Sequence, residues 1–145
     1  MTTYYDSEQK GANQTMVTMI LMLKRRSGMS KEAFRDYYEN GHAMMAKKYF
    51  AHLFMDYRRH YVNSTRGAKN LDESGALRKN REESYDAITK IDFKDQSDLD
   101  EFERIASLPE VSVELRKDEA NFLDRDAMRV SICEEVKTWT AMDTI

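Results

Sequence analysis

The chain has 145 residues, the size of one domain with a single core. Apolar residues make up 41% and charged residues 34%, enough for a modest core under a heavily charged surface, which excludes an unstructured polymer. Lys and Arg number 23 against 26 Asp and Glu, so the balance offers no basic face of the kind nucleic acid requires. Residues 1–15 are polar and lack an apolar h-region, so neither a signal peptide nor a membrane span is expected there; they read as a flexible N-terminal arm.

Residues 16–23 form an apolar run, Met-Val-Thr-Met-Ile-Leu-Met-Leu, closed by Lys24-Arg25-Arg26 and the turn residues Ser27 and Gly28. This predicts a strand buried on both faces. Ser30 supplies an N-cap and Glu32 a first-turn carboxylate, after which Phe34, Tyr37, Tyr38, His42 and Met45 recur at helical spacing. Asn40-Gly41 is expected to end or loosen that helix just before His42. Residues 57–62, Tyr-Arg-Arg-His-Tyr-Val, read as a second strand. Residues 63–84 break the pattern with charge, Gly67 and Gly75, and read as a long loop or lid.

Tyr85, Ala87, Thr89, Ile91 and Phe93 alternate with Asp86, Ile88, Lys90 and Asp92, the mark of a third strand with one apolar face. Ser97 and Asp100 resemble a capping box ahead of a helix striped by Leu99, Phe102, Ile105 and Ala106. Pro109 starts a further helix whose inward residues include Val111, Leu115 and Phe122. Residues 128–136 alternate again as a fourth strand, and 139–145 form a C-terminal tail. The lone Cys133 has no internal disulfide partner and no CxxC or Cys/His cluster accompanies it, which suits a cytoplasmic protein.

This order gives two βαβ halves and predicts an α+β, ferredoxin-like domain over 16–138, a four-stranded antiparallel sheet with helices on one face. A first strand apolar on both faces has no side to give to water. The open sheet face is therefore expected to be covered by a second copy, giving a closed homodimer of the dimeric α/β-barrel type.

Among chemistry-bearing residues His42 stands first, on the apolar stripe one turn after Tyr38, because imidazole can both give and take a proton near neutral pH. The plainer reading is a histidine that caps a helix end. His60, Arg58, Arg59 and Tyr61 share a strand, so one alternate set faces inward. An inward His60 would hydrogen-bond a phenol or carbonyl, and an inward arginine would hold a carboxylate; the alternative is a solvated arginine pair on an edge strand. Tyr37, Tyr38, Tyr49, Tyr57, Tyr61 and Tyr85 suit the wall of a pocket for a planar ligand, Tyr38 being the best partner for His42.

The spacings of His42, His52 and His60 match no metal-binding pattern, so no metal is expected. Asp118, Glu119 and Asp124 read as structural carboxylates bonding backbone donors or Arg125. The methionines concentrated in 16–55 fit a deformable core or pocket lining. No GxGxxG, P-loop or nucleophile-elbow motif is present, so no nucleotide cofactor is expected.

Leu23-Lys24-Arg25-Arg26, Met29-Ser30, Phe34-Arg35, Tyr37-Tyr38 and Gly41-His42-Ala43 look like the opening of EthD-domain proteins. Asp56-Tyr57-Arg58-Arg59 with Tyr61-Val62, then Tyr85-Asp86-Ala87-Ile88-Thr89, continue the likeness, and the run from Asp118 to Arg125 closes it. The resemblance spans 16–136 and implies the dimeric α/β-barrel fold; the 63–84 segment departs from the family pattern. It also matches His42 to the histidine of the family's helix-end motif. Fungal members similar to this chain act as decarboxylases or dehydratases on aromatic polyketide acids, others have auxiliary roles, and related barrels include cofactor-free oxygenases, polyketide cyclases and lactone isomerases.

The expectation is thus a cofactor-independent lyase, a decarboxylase or dehydratase acting on an aromatic or polyketide-like hydroxy acid. In that reading His42 is general acid and base, Tyr38 and His60 orient or polarise a substrate oxygen, and Arg58, Arg59, Tyr61 and Tyr85 hold the substrate. Its rivals are a cofactor-free monooxygenase or cyclase, and a non-catalytic binding or auxiliary protein. The partners expected are a small aromatic substrate and a second copy, with neither nucleic acid nor membrane.

Overall fold

Strand β1 (Val17–Leu23) forms where an apolar run meets partners on both edges. In the computed structural model, which describes residues 15–67, 78–81 and 85–143, it pairs antiparallel with β5 (Ala87–Phe93) and with β6 (Arg129–Cys133). Strand β2 (Phe54–Tyr61) flanks β5, giving the order β2-β5-β1-β6. Helices α1 (Lys31–Tyr37) and α2 (Ala43–Phe50) connect β1 to β2, and α3 (Gln96–Ala106) and α4 (Pro109–Ala120) connect β5 to β6. The expected α+β, ferredoxin-like sheet is what the chain adopts.

Residues opposite one another in antiparallel strands share a face. Met19 and Leu23 therefore point the same way as Ile91 and Ala87, into cores closed by Phe34, Ala46, Phe50, Leu99, Val111 and Phe122. On the other face Thr18 is buried, its hydroxyl donating to Asp92 at 2.7 Å, while Ile20 and Met22 are half-buried. Among the described residues β1 is thus not buried on both faces as expected, because none of them covers its even-numbered side fully.

Several boundaries differ from the sequence reading for identifiable reasons. Ser30 caps α1 as expected, its Oγ accepting from the Ala33 amide at 3.0 Å. The helix does not end at Asn40-Gly41. It widens into a π turn at Tyr38–His42 and runs on into α2. Gly41 lets the Tyr37 ring lie close, since a Cβ there would meet two of its ring carbons at 3.4 Å. The cap of α3 is Asp95, whose side chain accepts from the Asp98 amide at 3.0 Å, so Ser97 and Asp100 fall inside the helix and not at its cap. Pro109 opens α4 at its first turn, as expected.

Within the expected 63–84 loop, β3 (Thr65–Gly67) and β4 (Arg78–Arg81) pair as a separate antiparallel ribbon. Residues 68–77 and 82–84, on which most of the lid reading rests, lie outside the described residues, as do 1–14 of the N-terminal arm. The end of β1 is tied to the start of β5 by Asp86, which accepts from the Arg25 amide at 2.8 Å and pairs with its guanidinium at 2.5 Å.

Candidate active site on the helix side of the sheet

The register of β2 against β5 decides which side chains reach the helices. Arg59 and Tyr61 lie opposite Thr89 and Ala87, both buried beneath α1, whereas Arg58 and His60 lie opposite Lys90 and Ile88 on the other face. His60 is exposed, and Arg58 is exposed and paired with Asp56 at 2.6 Å. The sheet therefore separates these two residues from His42, and the grouping expected from the sequence splits. Tyr38, Arg59 and Tyr61 remain on the helix side with His42, and Tyr85 lies half-buried just ahead of β5.

Glu39, in the π turn, organises the inner polar cluster. Arg59 reaches it bidentately, Nε to Oε2 and Nη2 to Oε1, both at 2.7 Å, and Tyr61 donates to Oε2 at 2.5 Å. The Arg59 hydrogen bond holds the Glu39 carboxyl down at about 2, and the same bond holds the guanidinium above its ordinary value. Burial, then the bond to Glu39, raises the Tyr61 phenol. Arg59 also lies over the Tyr57 ring at 4.7 Å. Arg59 is thereby committed to Glu39 rather than open to a substrate carboxylate.

Tyr38 is 1% exposed and its hydroxyl shares a 2.6 Å hydrogen bond with Thr89 Oγ1. Burial pushes that phenol well above its ordinary range. Its ring meets the His42 ring edge-on at 5.2 Å. Tyr38 therefore gives His42 a wall and not the hydroxyl partner expected from the sequence, because that hydroxyl points to the sheet.

The partner of His42 comes from α4. Its Nδ1 is hydrogen-bonded to Oδ2 of Asp118, while Oδ1 of Asp118 accepts from the Tyr37 hydroxyl at 2.9 Å. The Tyr37 oxygen in turn accepts from Asn121 Nδ2 at 2.8 Å, and burial foremost raises its phenol. The His42 side chain is 17% exposed and that of Asp118 10%, and the imidazole also packs against Phe122 at 5.2 Å. A carboxylate on Nδ1 fixes that nitrogen as the N–H and leaves Nε2 to exchange a proton, an assignment made from the hydrogen-bond pattern. Asp118, read from the sequence as bonding backbone donors or Arg125, is thus the partner of His42 that sequence reasoning misses, since the two lie 76 residues apart.

Near the start of α1 a shallow cleft of about 220 Å³ is bordered by Phe34, Arg35, Tyr61 and Asp86. The Arg35 guanidinium sits over the Tyr61 ring at 4.6 Å, so this cleft adjoins the Glu39 cluster. Among the described residues no group of three or more His, Cys, Asp or Glu side chains is placed to hold a metal.

A four-stranded antiparallel sheet with its helices on one face defines an α+β domain of ferredoxin-like fold, and on the helix side it holds a hydrogen-bonded His–Asp pair. Residues 26–126 match the EthD domain, and the chain belongs to that family. An ethyl tert-butyl ether d (EthD) family protein from Bacillus halodurans C-125 is 20% identical with a TM-score of 0.54, covering 84% of this chain and 100% of its own. A dimeric protein of unknown function and ferredoxin-like fold from Bacteroides fragilis is 14% identical, TM-score 0.51, covering 83% and 96%. HapK from Hahella chejuensis is 12% identical, TM-score 0.52, covering 88% and 99%. At such identities the likeness shows the fold alone. No curated protein matches the chain. Among the described residues no helix is long and apolar enough to cross a membrane.

Proposed function

We propose that the chain is a cofactor-independent lyase that uses His42 to decarboxylate, or remove water from, an aromatic or polyketide-like hydroxy acid. The observation that carries this reading is the hydrogen bond between His42 Nδ1 and Asp118, which orients the ring and leaves Nε2 to exchange a proton. For an ortho-hydroxy acid, the protonated Nε2 gives its proton to the ring carbon that bears the carboxylate. The bond to the carboxylate then breaks, its electron pair restores the aromatic ring, and carbon dioxide leaves. The neutral imidazole regains a proton from water. In a dehydration the same nitrogen protonates the departing hydroxyl and recovers the proton from the adjacent carbon.

The Tyr38 ring packs edge-on and the Phe122 ring tilted against the imidazole, and Arg35, which lines the neighbouring cleft whose border does not include His42, is the cation that reading assigns to a substrate anion in place of Arg58 and Arg59. A second copy covers the open sheet face, a reading supported by the half-buried Ile20, Met22 and Ile88 there and by the dimeric Bacteroides fragilis relative.

The test is carbon dioxide release, loss of water and oxygen uptake on a panel of ortho-hydroxybenzoic and β-keto acids. The wild-type chain is expected to turn over at least one of them without oxygen. A folded His42→Ala variant is expected to lose about a hundredfold or more in rate. Turnover at the wild-type rate by that variant removes the reading, and oxygen uptake on substrate addition replaces it with a monooxygenase.

A further inference from the structure

Among the described residues nine large apolar side chains are exposed, and five of them, Val130, Ile132, Val136, Trp139 and Met142, lie on β6 and the segment just after it. They form two surfaces. Val130 and Ile132 lie opposite Leu21 and Met19, so they face the helix side of the sheet, yet they remain 49% and 52% exposed on its outer strand. Val136, Trp139 and Met142 are 74%, 69% and 88% exposed.

The second surface is held in shape. Glu135 pairs with Lys90 at 2.8 Å, which fixes the root of the segment to the open face of the sheet. Further along, Asp143 pairs with Lys137 and accepts from the Thr140 amide, both at 2.7 Å, closing a turn that keeps Trp139 and Met142 outward. An ordered turn that displays a tryptophan to water exposes a typical interface anchor.

We propose that residues 134–143 form an arm exchanged between two copies of this chain, with Trp139 of each copy seated on the Val130 and Ile132 strip of the other. Both halves of the contact belong to one chain and neither covers the other within it, which is the condition for a self-complementary two-fold interface. The arm starts from the open sheet face that a second copy covers in the proposed dimer, while Val130 and Ile132 lie on the opposite face of the outer strand, so the arm of each copy wraps around the outer edge of the other's β6. Ile20, Met22 and Ile88, half-buried on the open face, add apolar surface to that of the arm and the strip towards the roughly 800 Å² that each partner of a standard interface buries. The outer edge of β6, otherwise an open template for unwanted pairing, is shielded in the same step.

This inference rests on the dimer reading and is independent of the proposed chemistry. Trp139 is the chain's one tryptophan, so its fluorescence reports the contact directly. The full chain is followed across a dilution series by sedimentation, tryptophan emission and iodide quenching. Expected is a dimer with blue-shifted, iodide-protected emission that turns red and quenchable as the dimer dissociates. Ile132→Glu and Trp139→Ala, at exposed positions, each weaken the dimer at least about thirtyfold. An equimolar mixture of the two variants regains a dimer and part of the protected emission, because one intact contact is restored, and this holds the test against simple misfolding. A dimer whose tryptophan stays open to iodide overturns the arm and leaves the dimer standing. A lone subunit at every concentration overturns both, and protected emission in a lone subunit shows the arm docking on its own chain and overturns the exchange.

Discussion

Replacing Glu39 with Gln keeps the side chain's shape and removes its charge, which isolates what the Arg59 pair contributes. Holding a carboxyl from the ordinary 4.5 down to about 2 is worth at most about 3.4 kcal/mol at neutral pH. The Glu39 side chain is 35% exposed, so water screening lowers this to about 1.5–2 kcal/mol. The sign follows from the direction: a carboxyl depressed in the folded state stabilises above its unfolded value, and that stability drains as pH falls from 4.5 towards about 2. Urea denaturation of wild type and Glu39→Gln, repeated from neutral pH into acid, should show a gap of about 1.5–2 kcal/mol that narrows below about pH 4.5 and closes near pH 2. A gap under about 0.5 kcal/mol at neutral pH, or one unchanged in acid, refutes the assignment of this ion pair as a fastening between the π turn and β2.

Asp118→Asn is expected to lower kcat about 10- to 100-fold with KM little changed on any acid the wild type turns over, since the carboxylate that orients the imidazole through Nδ1 is gone; steady-state kinetics check it. His60→Ala, on the opposite face, is expected to keep turnover within about twofold, and a loss comparable to that of His42→Ala would return His60 to the chemistry. Gly28 adopts a φ of 82° and has nothing within 4 Å of the place a Cβ would take, so Gly28→Ala costs backbone strain alone, about 1 kcal/mol, read as a lowered melting temperature.

What could be read from the sequence follows where one face of an element is strongly biased. The alternation of Ala87, Thr89, Ile91 and Phe93 against Ile88, Lys90 and Asp92 marks the middle of the sheet, and Ser30 and Pro109 mark helix starts through fixed backbone chemistry. The start of α3 is ambiguous in sequence because Asp95 and Ser97 are both good caps, and only the hydrogen bond to the Asp98 amide separates them. Strand β2 carries aromatic and cationic side chains at both parities, so its own pattern cannot say whether Arg59 or His60 faces in. Pairing with the clearly one-sided β5 decides it. His42 is legible from its helical stripe, but Asp118 is 76 residues away, and a contact across that separation leaves no local trace.

The π turn explains why these contacts form together. Three consecutive side chains where α1 passes into it leave for three different elements: Tyr37, the last residue of α1, for Asp118 on α4, Tyr38 for Thr89 on β5, and Glu39 for Arg59 on β2. Three residues on, His42 returns to the same Asp118 carboxylate as Tyr37. One residue of helix turns a side chain by about 100°, so removing the extra residue that the π turn accommodates would re-aim either everything before it or everything after it. Tyr37 and His42 could then no longer share one carboxylate. The orientation of the imidazole, and with it the proposed proton transfer, depends on a helix irregularity as much as on the histidine itself.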